Sequence, residues 1–441
     1  MVSLLSETLL MRKINYIRNP YLLFLPFLIA FIIYAFISPP NGTSGDEGRY
    51  LGYAHNLIHG FYSPPAPDIE LTNGPGYPIL LIPFILLKLP LISITLMNAF
   101  FYYFSIILLF KALKEIVTFG LTLACSLAWA SYYIAYQSIT FIHTETLTYL
   151  LVSILIFSIL KAFKHDNAGT VRKYVILSGF ILGYIVLTKM IFGYVLLFML
   201  AGSGLLWVLN RKDLNYRKGV IIVLVAFATT LPYLIYTYQL TGRVFYWGTG
   251  SDNLYWMSSP NNNEYGSWFP DQTMELEPNF FTSYIPGCKD SIMVNHGKEL
   301  AEIHKLKGIE QDDAYKELAV RNIKAHPLKY FQNLIYNTSR LLFQYPFSYG
   351  MHRPKIIIIF PINGILLTLI LFSLIPTFIN WRKILFPIRF MLFIVLFYLG
   401  GSLLVTTYVR MFAIIVPILL IWIAFVLQNT LKIDLKFNEK P

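Results

Sequence analysis

The sequence predicts an all-α protein that crosses a membrane about ten times and carries one large loop domain on the outer side. Three observations predict it. The 441 residues are 56% hydrophobic and only 13% charged, with a mean hydropathy of +0.58, a composition more apolar than that of soluble domains. Apolar runs at 21–38, 91–110, 219–238 and 356–379 each approach the ~20 residues that a helix needs to cross ~30 Å of hydrocarbon. Lysine and arginine recur in short clusters between such runs, the pattern of cytoplasmic loops.

Those clusters order the spans. They are Arg12, Lys13 and Arg18; Lys111 and Lys114; Lys161, Lys164, Arg172 and Lys173; Arg211, Lys212, Arg217 and Lys218; Arg382 and Lys383; and Lys432 and Lys436. If each is cytoplasmic, an even number of crossings separates consecutive clusters. Span 1 then covers 20–39 and span 2 covers 91–113. Spans 3 and 4 bracket an outer loop near 137–143, spans 5 and 6 meet outside at Lys189, and span 7 covers 219–238. Spans 8, 9 and 10 follow the long outer segment 240–352, and the C-terminus is inside.

The apolar stretch 74–88 would break this parity if it crossed. It is short and interrupted by Pro75, Pro78 and Pro83, so it reads as an interfacial or re-entrant element. The chain therefore divides into an N-terminal membrane part (1–239) with its first outer loop at 40–90, a loop domain (240–352) and C-terminal membrane helices (353–441). Within the loop domain 312–325 reads as a helix, and Pro327 starts another. The first apolar run has no small-residue cleavage site behind it and reads as an uncleaved span. The net charge of +12 is explained better by cytoplasmic loops than by a nucleic-acid partner, and none is expected. Cys125 in an apolar run and Cys288 in the loop do not suggest a disulfide.

Candidate chemistry concentrates at the outer ends of the spans. Gly45-Asp46-Glu47-Gly48-Arg49-Tyr50 follows span 1. If 46–59 is helical, Asp46, Arg49, Tyr53 and Asn56 share one face, while Leu51, Ala54 and Ile58 form another that could rest on the membrane. A solvated loop with ordinary charges is the plainer alternative. Asn73-Gly74-Pro75-Gly76-Tyr77-Pro78 forces turns close to the bilayer. His143-Thr144-Glu145 opens span 4, where Glu145 serves either the helix dipole or a reaction. Lys189 and Arg410 sit at hydrocarbon boundaries, where a charge either snorkels or functions. Arg410 has the planar fork that suits phosphate. In the loop domain, Asp252-Asn253-Leu254-Tyr255-Trp256 suits either sugar stacking or a plain core. His55 and His59 stand four apart with no further metal-ligand pattern. Asn41-Gly42-Thr43 and Asn337-Thr338-Ser339 match the N-glycosylation pattern.

In order and content these motifs resemble the protein O-mannosyltransferase-like glycosyltransferases, a group of GT-C fold that includes the lipid A aminoarabinose transferases. The resemblance spans about 21–427 and is carried by Asp46-Glu47 with Arg49-Tyr50, Gly74-Pro75-Gly76-Tyr77-Pro78, His143-Thr144-Glu145-Thr146-Leu147, Leu187-Thr188-Lys189, the loop motif at 252–256, and Arg410 ahead of Pro417. Some members carry a basic residue just before the Gly-Pro element, where this chain has Asn73.

The resemblance implies transfer of a sugar from a polyprenyl-phosphate donor to a hydroxyl of a lipid, glycan or protein acceptor. It places the reaction on the extracytoplasmic face of the plasma membrane and implies inversion at the sugar. By the same resemblance, Asp46 is the general base, Glu47 orients the acceptor or a divalent metal, and Glu145 is a second carboxylate. Arg49, Lys189 and Arg410 hold the donor phosphate, and Tyr50, Tyr77, His143, Tyr255 and Trp256 line the substrate sites. Two other readings stand beside it. An O-antigen-type polymerase would lean on loop arginines, here Arg243, Arg321, Arg340 and Arg353. A transporter or flippase would show midplane charges and inverted repeats, which the sequence lacks.

Overall fold

The computed structural model describes residues 19–40, 45–164, 167–209, 213–244, 247–248, 250–269, 285–350 and 354–433. Arg12, Lys13, Arg18, Asn41, Gly42, Thr43, Arg211, Lys212, Thr249, Arg353 and Lys436 lie outside them. The described chain is helical throughout the regions expected to span. In chain order the helices are α1 (Leu25–Ile37), α2 (Gly45–Ile58), α3 (Gly76–Leu86), α4 (Ile92–Leu113), α5 (Phe119–Ala130), α6 (Glu145–Lys164), α7 (Ala168–Thr188), α8 (Ile191–Leu209) and α9 (Leu214–Thr241). The loop domain adds α10 (Gly250–Met257), α11 (Cys288–Ile303), α12 (Gly308–Ala325) and α13 (Pro327–Phe343). The chain closes with α14 (Ile356–Ile379), α15 (Phe386–Leu403), α16 (Val409–Ala413) and α17 (Val416–Phe425).

Among the described residues, six helices are long and apolar enough to cross a membrane by themselves: α4, α6, α7, α9, α14 and α15. They fall on expected spans 2, 4, 5, 7, 8 and 9. Spans 1, 3, 6 and 10 fall on α1, α5, α8 and α17. Three of these are shortened by breaks: α1 follows a separate turn at Pro20–Leu23, α5 gives way at Ser131 to a short helix at Tyr133–Gln137, and α17 runs on into a π-turn at Val426–Thr430. The chain is a multi-pass membrane protein.

Local sequence explains several boundaries. Asn167 and Asp213 accept backbone N–H bonds from Thr170 and Asn215, capping α7 and α9. Pro327 sits in the first turn of α13, where its missing N–H costs nothing. Gly242 ends α9 in the left-handed conformation (φ 70°) that glycine adopts without strain. The expected face Leu51, Ala54, Ile58 is corrected in one respect. Ala54 is fully buried in the protein core, because α2 packs along α3 rather than lying free on lipid.

The two ends of the bundle differ in charge. At one end, Glu115 takes Lys161 at 2.6 Å and Lys164 at 2.8 Å, and Lys218 donates to the Ala162 carbonyl at 3.0 Å. At the other end lie Glu145, Lys189 and Arg410. Glu145 and Lys164 begin and end α6, which at ~1.5 Å per residue sets them about 30 Å apart, one hydrocarbon thickness.

α7 and α9 approach backbone to backbone through Gly179 and Gly183. A Cβ at Gly179 would stand 2.5 Å from Val225 Cβ, and one at Gly183 2.6 Å from the Ala226 carbonyl. This is a small-xxx-small contact, in which packing rather than the hydrophobic effect joins helices inside lipid. We expect Gly183→Val to cost at least ~1–3 kcal/mol by overpacking, read as a lower unfolding temperature of the purified protein. An unchanged unfolding temperature would show that this contact does not hold the two helices together.

Candidate active site

The site begins at the N-terminus of α2, where two adjacent carboxylates part company. Both suit a helix start, because the exposed N–H groups there favour negative charge. Glu47 turns inward, is buried, and its Oε1 accepts the backbone N–H of Ile142 at 2.9 Å. That bond ties the first outer loop to the 141–145 segment and brings His143 and Glu145 up to α2. Asp46 turns the other way, into a cavity of about 570 Å³.

Asp46 is held between two guanidinium groups. Arg49, one turn along α2, donates to Oδ1, and Arg410 Nη2 donates to Oδ2 at 3.1 Å. Arg410 Nε also lies 3.6 Å from Glu145 Oε1, which takes Lys189 Nζ at 2.7 Å. Arg410 Nη1 meets His143 Nδ1 at 3.2 Å. Three cations thus surround two carboxylates, leaving one positive charge in excess for an incoming anion. Asn73 supports Arg49 from behind: its Oδ1 accepts Arg49 Nε at 3.4 Å and its Nδ2 donates to the Tyr50 hydroxyl at 3.1 Å.

The protonation states follow from the neighbours. Burial alone would raise the Asp46 carboxyl, but the charges of Arg410 and Arg49 outweigh it and hold the group well below the usual carboxylate range. Burial, followed by the Arg410 charge, pushes His143 down. The ring is therefore neutral at pH 7, and with Nδ1 facing a permanent donor its proton belongs on Nε2. Burial, Asp46 and Glu145 push the Tyr50 phenol up, so it stays protonated. Arg410 is held above its ordinary value by Glu145 and Asp46, which outweigh its burial.

Glycine explains how Lys189 reaches this cluster. A Cβ at Gly74 would collide with the Leu187 backbone carbonyl, and one at Gly76 would stand 2.6 Å from Thr188 Oγ1. The Gly-Pro element is therefore pressed against the end of α7, where Tyr184 also donates to the Gly76 carbonyl at 2.7 Å. The residues that precede Arg410 are held just as firmly. Asn337 on α13 bonds the carbonyls of Leu403 and Val405 at 2.9 and 2.6 Å and accepts Thr407 N–H at 3.0 Å. Arg340, fully buried, donates to the carbonyls of Gly266, Pro346, Tyr265 and Thr407 at 2.9 to 3.3 Å.

Of the residues singled out in the sequence, Asp46, Arg49, Tyr50, His143, Glu145, Lys189 and Arg410 line one cavity. Four lie behind its wall. Glu47 serves the Ile142 N–H. Tyr77 is fully buried, edge-on to Tyr50 at 5.3 Å between ring centres. Tyr255 and Trp256 are in the loop-domain core, where the Tyr255 hydroxyl meets His296 Nδ1 at 2.7 Å. Besides Tyr50, the aromatic rings that line the cavity include Phe141, Trp247, Trp268, Phe347, Tyr349 and Tyr408. Trp268 is aimed by its bond to Asp252 Oδ2 at 2.7 Å, so the 252–256 motif contributes through an aromatic outside it. Among the described residues no set of three or more His, Cys, Asp or Glu side chains is placed to hold a metal ion. Both site carboxylates already face cations.

No protein-family model matches the sequence, and no curated protein matches it. Solved structures similar to this one include ArnT from Cupriavidus metallidurans bound to undecaprenyl phosphate, with 14% identity over 91% of this chain and 77% of that one and a TM-score of 0.39. The same enzyme in its apo state matches at 13% identity over 92% and 76% of the two chains, with a TM-score of 0.40. The Archaeoglobus fulgidus oligosaccharyltransferase tethered to an acceptor peptide matches at 14% identity and a TM-score of 0.48, over 93% of this chain but 49% of its own length.

The two members of the acidic pair are separable by experiment. Glu47→Gln keeps an acceptor for the Ile142 N–H and should leave the protein near wild-type stability. Glu47→Ala orphans a buried donor and should cost ~1–3 kcal/mol, measured by thermal unfolding. Equal stability of the two variants would show that the tether does not matter.

Proposed function

We propose that the chain is a membrane glycosyltransferase that moves a sugar from a polyprenyl-phosphate donor to an acceptor hydroxyl. The observation that carries this reading is the placement of Asp46 between Arg49 and Arg410, in a cavity at the end of the membrane helices where cations outnumber carboxylates. A lipid-linked phosphosugar keeps its tail in hydrocarbon and its headgroup at that level. The basic end of the bundle, one hydrocarbon thickness away, supports a cytoplasmic side there by the positive-inside rule, and with it an extracytoplasmic cavity.

The donor phosphate brings the anion that the excess positive charge awaits. Its oxygens compete with Asp46 for Arg49 and Arg410, and each guanidinium suits phosphate by geometry and charge. As the guanidiniums turn to phosphate, Asp46 loses the partners that depress it and becomes a better base. The acceptor oxygen then attacks the anomeric carbon from the face opposite the phosphate. The new C–O bond forms as the bond to the phosphate oxygen breaks. The hydroxyl proton passes to Asp46, and the leaving phosphate keeps the electron pair beside Arg49, Arg410 and Lys189. The cavity aromatics would stack on sugar faces of donor and acceptor. Donor binding before acceptor activation follows from this order.

The competing readings fit less well. A polymerase working through loop arginines finds the three described ones occupied: Arg243 pairs with Asp313 at 2.5 Å, Arg321 pairs with Glu299, and Arg340 is buried in backbone contacts. A transporter needs ionisable groups at mid-depth, whereas here they gather at the helix ends.

Purified protein in lipid, offered a panel of polyprenyl-phosphate sugars, should consume one donor. Asp46→Asn should slow that turnover by ~10²–10⁴-fold while remaining folded. No donor consumption, with or without cell-envelope acceptors, overturns the glycosyltransferase reading. Equal turnover by wild type and variant overturns Asp46 as the base.

The pH profile gives a second test. A depressed carboxyl stays ionised as pH falls through the ordinary carboxylate range near ~4, so kcat/KM should show no acid limb from Asp46 between pH 7 and 5. Arg410→Gln removes the largest opposing charge and leaves burial to raise the group. Its weaker residual activity should fall on an acid limb displaced upward. Superimposable acid limbs would show that Arg410 does not set the ionisation of the base.

A further inference from the structure

The loop-domain helix α13 has two unlike faces. Asn333, Asn337 and Arg340 form its buried polar face and bind backbone carbonyls of the loop domain and of the segment after α15. On the opposite side Leu328, Phe331 and Ile335 are 85%, 62% and 56% exposed. These three recur at helical spacing, so they form one stripe. A soluble domain does not normally leave such a stripe in water.

The helix lies at the level where the membrane helices end. Near its start, the Tyr330 hydroxyl donates to the carbonyl of Leu404, just past the end of α15, at 3.0 Å. Near its close, the Leu342 carbonyl accepts Asn363, two turns inside α14, and the Phe343 ring lies 4.9 Å from Phe360. Phe360 and Ile357 on α14 are 59% and 78% exposed, as residues facing lipid tails are. The stripe on α13 therefore continues the apolar belt of a membrane span. Tyr330 and Tyr336 flank the stripe, a composition typical of the headgroup layer.

We infer that α13 lies in the membrane interface, with Leu328, Phe331 and Ile335 among the lipid acyl chains, and that it seats the loop domain on the bilayer. The partner is the lipid surface, and the inference does not depend on sugar transfer. Apolar burial of such side chains drives interfacial binding, and the neighbouring exposed Lys324 suits an anionic leaflet.

The test uses the full chain with Cys125→Ser and Cys288→Ala. Single cysteines at Phe331→Cys, Ile335→Cys and, as a water-facing control on α12, Lys316→Cys carry an environment-sensitive fluorophore. The protein is reconstituted in nanodiscs of phosphatidylcholine and phosphatidylglycerol. The α13 labels should be quenched severalfold by lipids spin-labelled near the headgroup and spared by aqueous iodide, and the control should show the reverse. Iodide quenching at all three positions overturns the proposal, because the stripe then faces water. Shielding of the α13 labels from both quenchers also overturns it, because protein then covers the stripe. The unmodified chain in nanodiscs containing a photoactivatable phosphatidylcholine gives a readout free of substitutions. Adducts on the 327–336 peptide support the seating, and adducts confined to the spans overturn it.

Discussion

The arrangement depends on one buried carboxylate. Glu145 opens α6 with 2% of its side chain exposed, and an unpaired charge at such depth would cost several kcal/mol. Lys189 and Arg410 both serve it, and they come from the end of α7 and from the segment after α15. Satisfying Glu145 therefore draws three distant parts of the chain to one point. Arg410 then has a second face left over, and it spends that face on Asp46. The charge cluster is thus a structural knot as well as the lining of the proposed site, and the same ion pairs would serve both ends.

The support for Arg410 is of a different kind. Asn337 and Arg340 do not touch the cavity charges. They hold carbonyls of the preceding residues, a backbone segment with no regular partner of its own. Asn337 also belongs to the Asn-Thr-Ser pattern in the sequence. Its side chain is fully buried with both ends bonded, so the asparagine fixes a loop and is closed to a glycan in the folded state.

The large features were legible because they are set by composition and period. Apolar length and basic parity located the spans, and the prolines at 75, 78 and 83 kept 74–88 from being counted as one. The site charges were legible because ionisable residues at a hydrocarbon boundary need a reason. Side-chain direction was harder. Asp46 and Glu47 are neighbours in sequence, yet one faces a cavity and the other a backbone N–H. Only the contact with Ile142, 95 residues on, decides between them. Tyr255 and Trp256 looked outward by motif and are core by packing, while Trp268, lacking any motif, turns to the cavity. Gly179 and Gly183 carried a readable small-xxx-small signal for the α7–α9 contact that hydropathy alone passes over.

The α6 helix is fastened at both ends by ion pairs, to Lys189 and Arg410 above and to Glu115 below. These pairs oppose sliding of α6 past the elements to which it is tied. Lipids with longer or shorter acyl chains are then met by tilt of the whole bundle or by a bilayer that thickens or thins around it, at fractions of a kcal/mol per ångström. The distance between the cavity and the basic end is set within the protein, by the length of α6 and its pairs, rather than by the lipid.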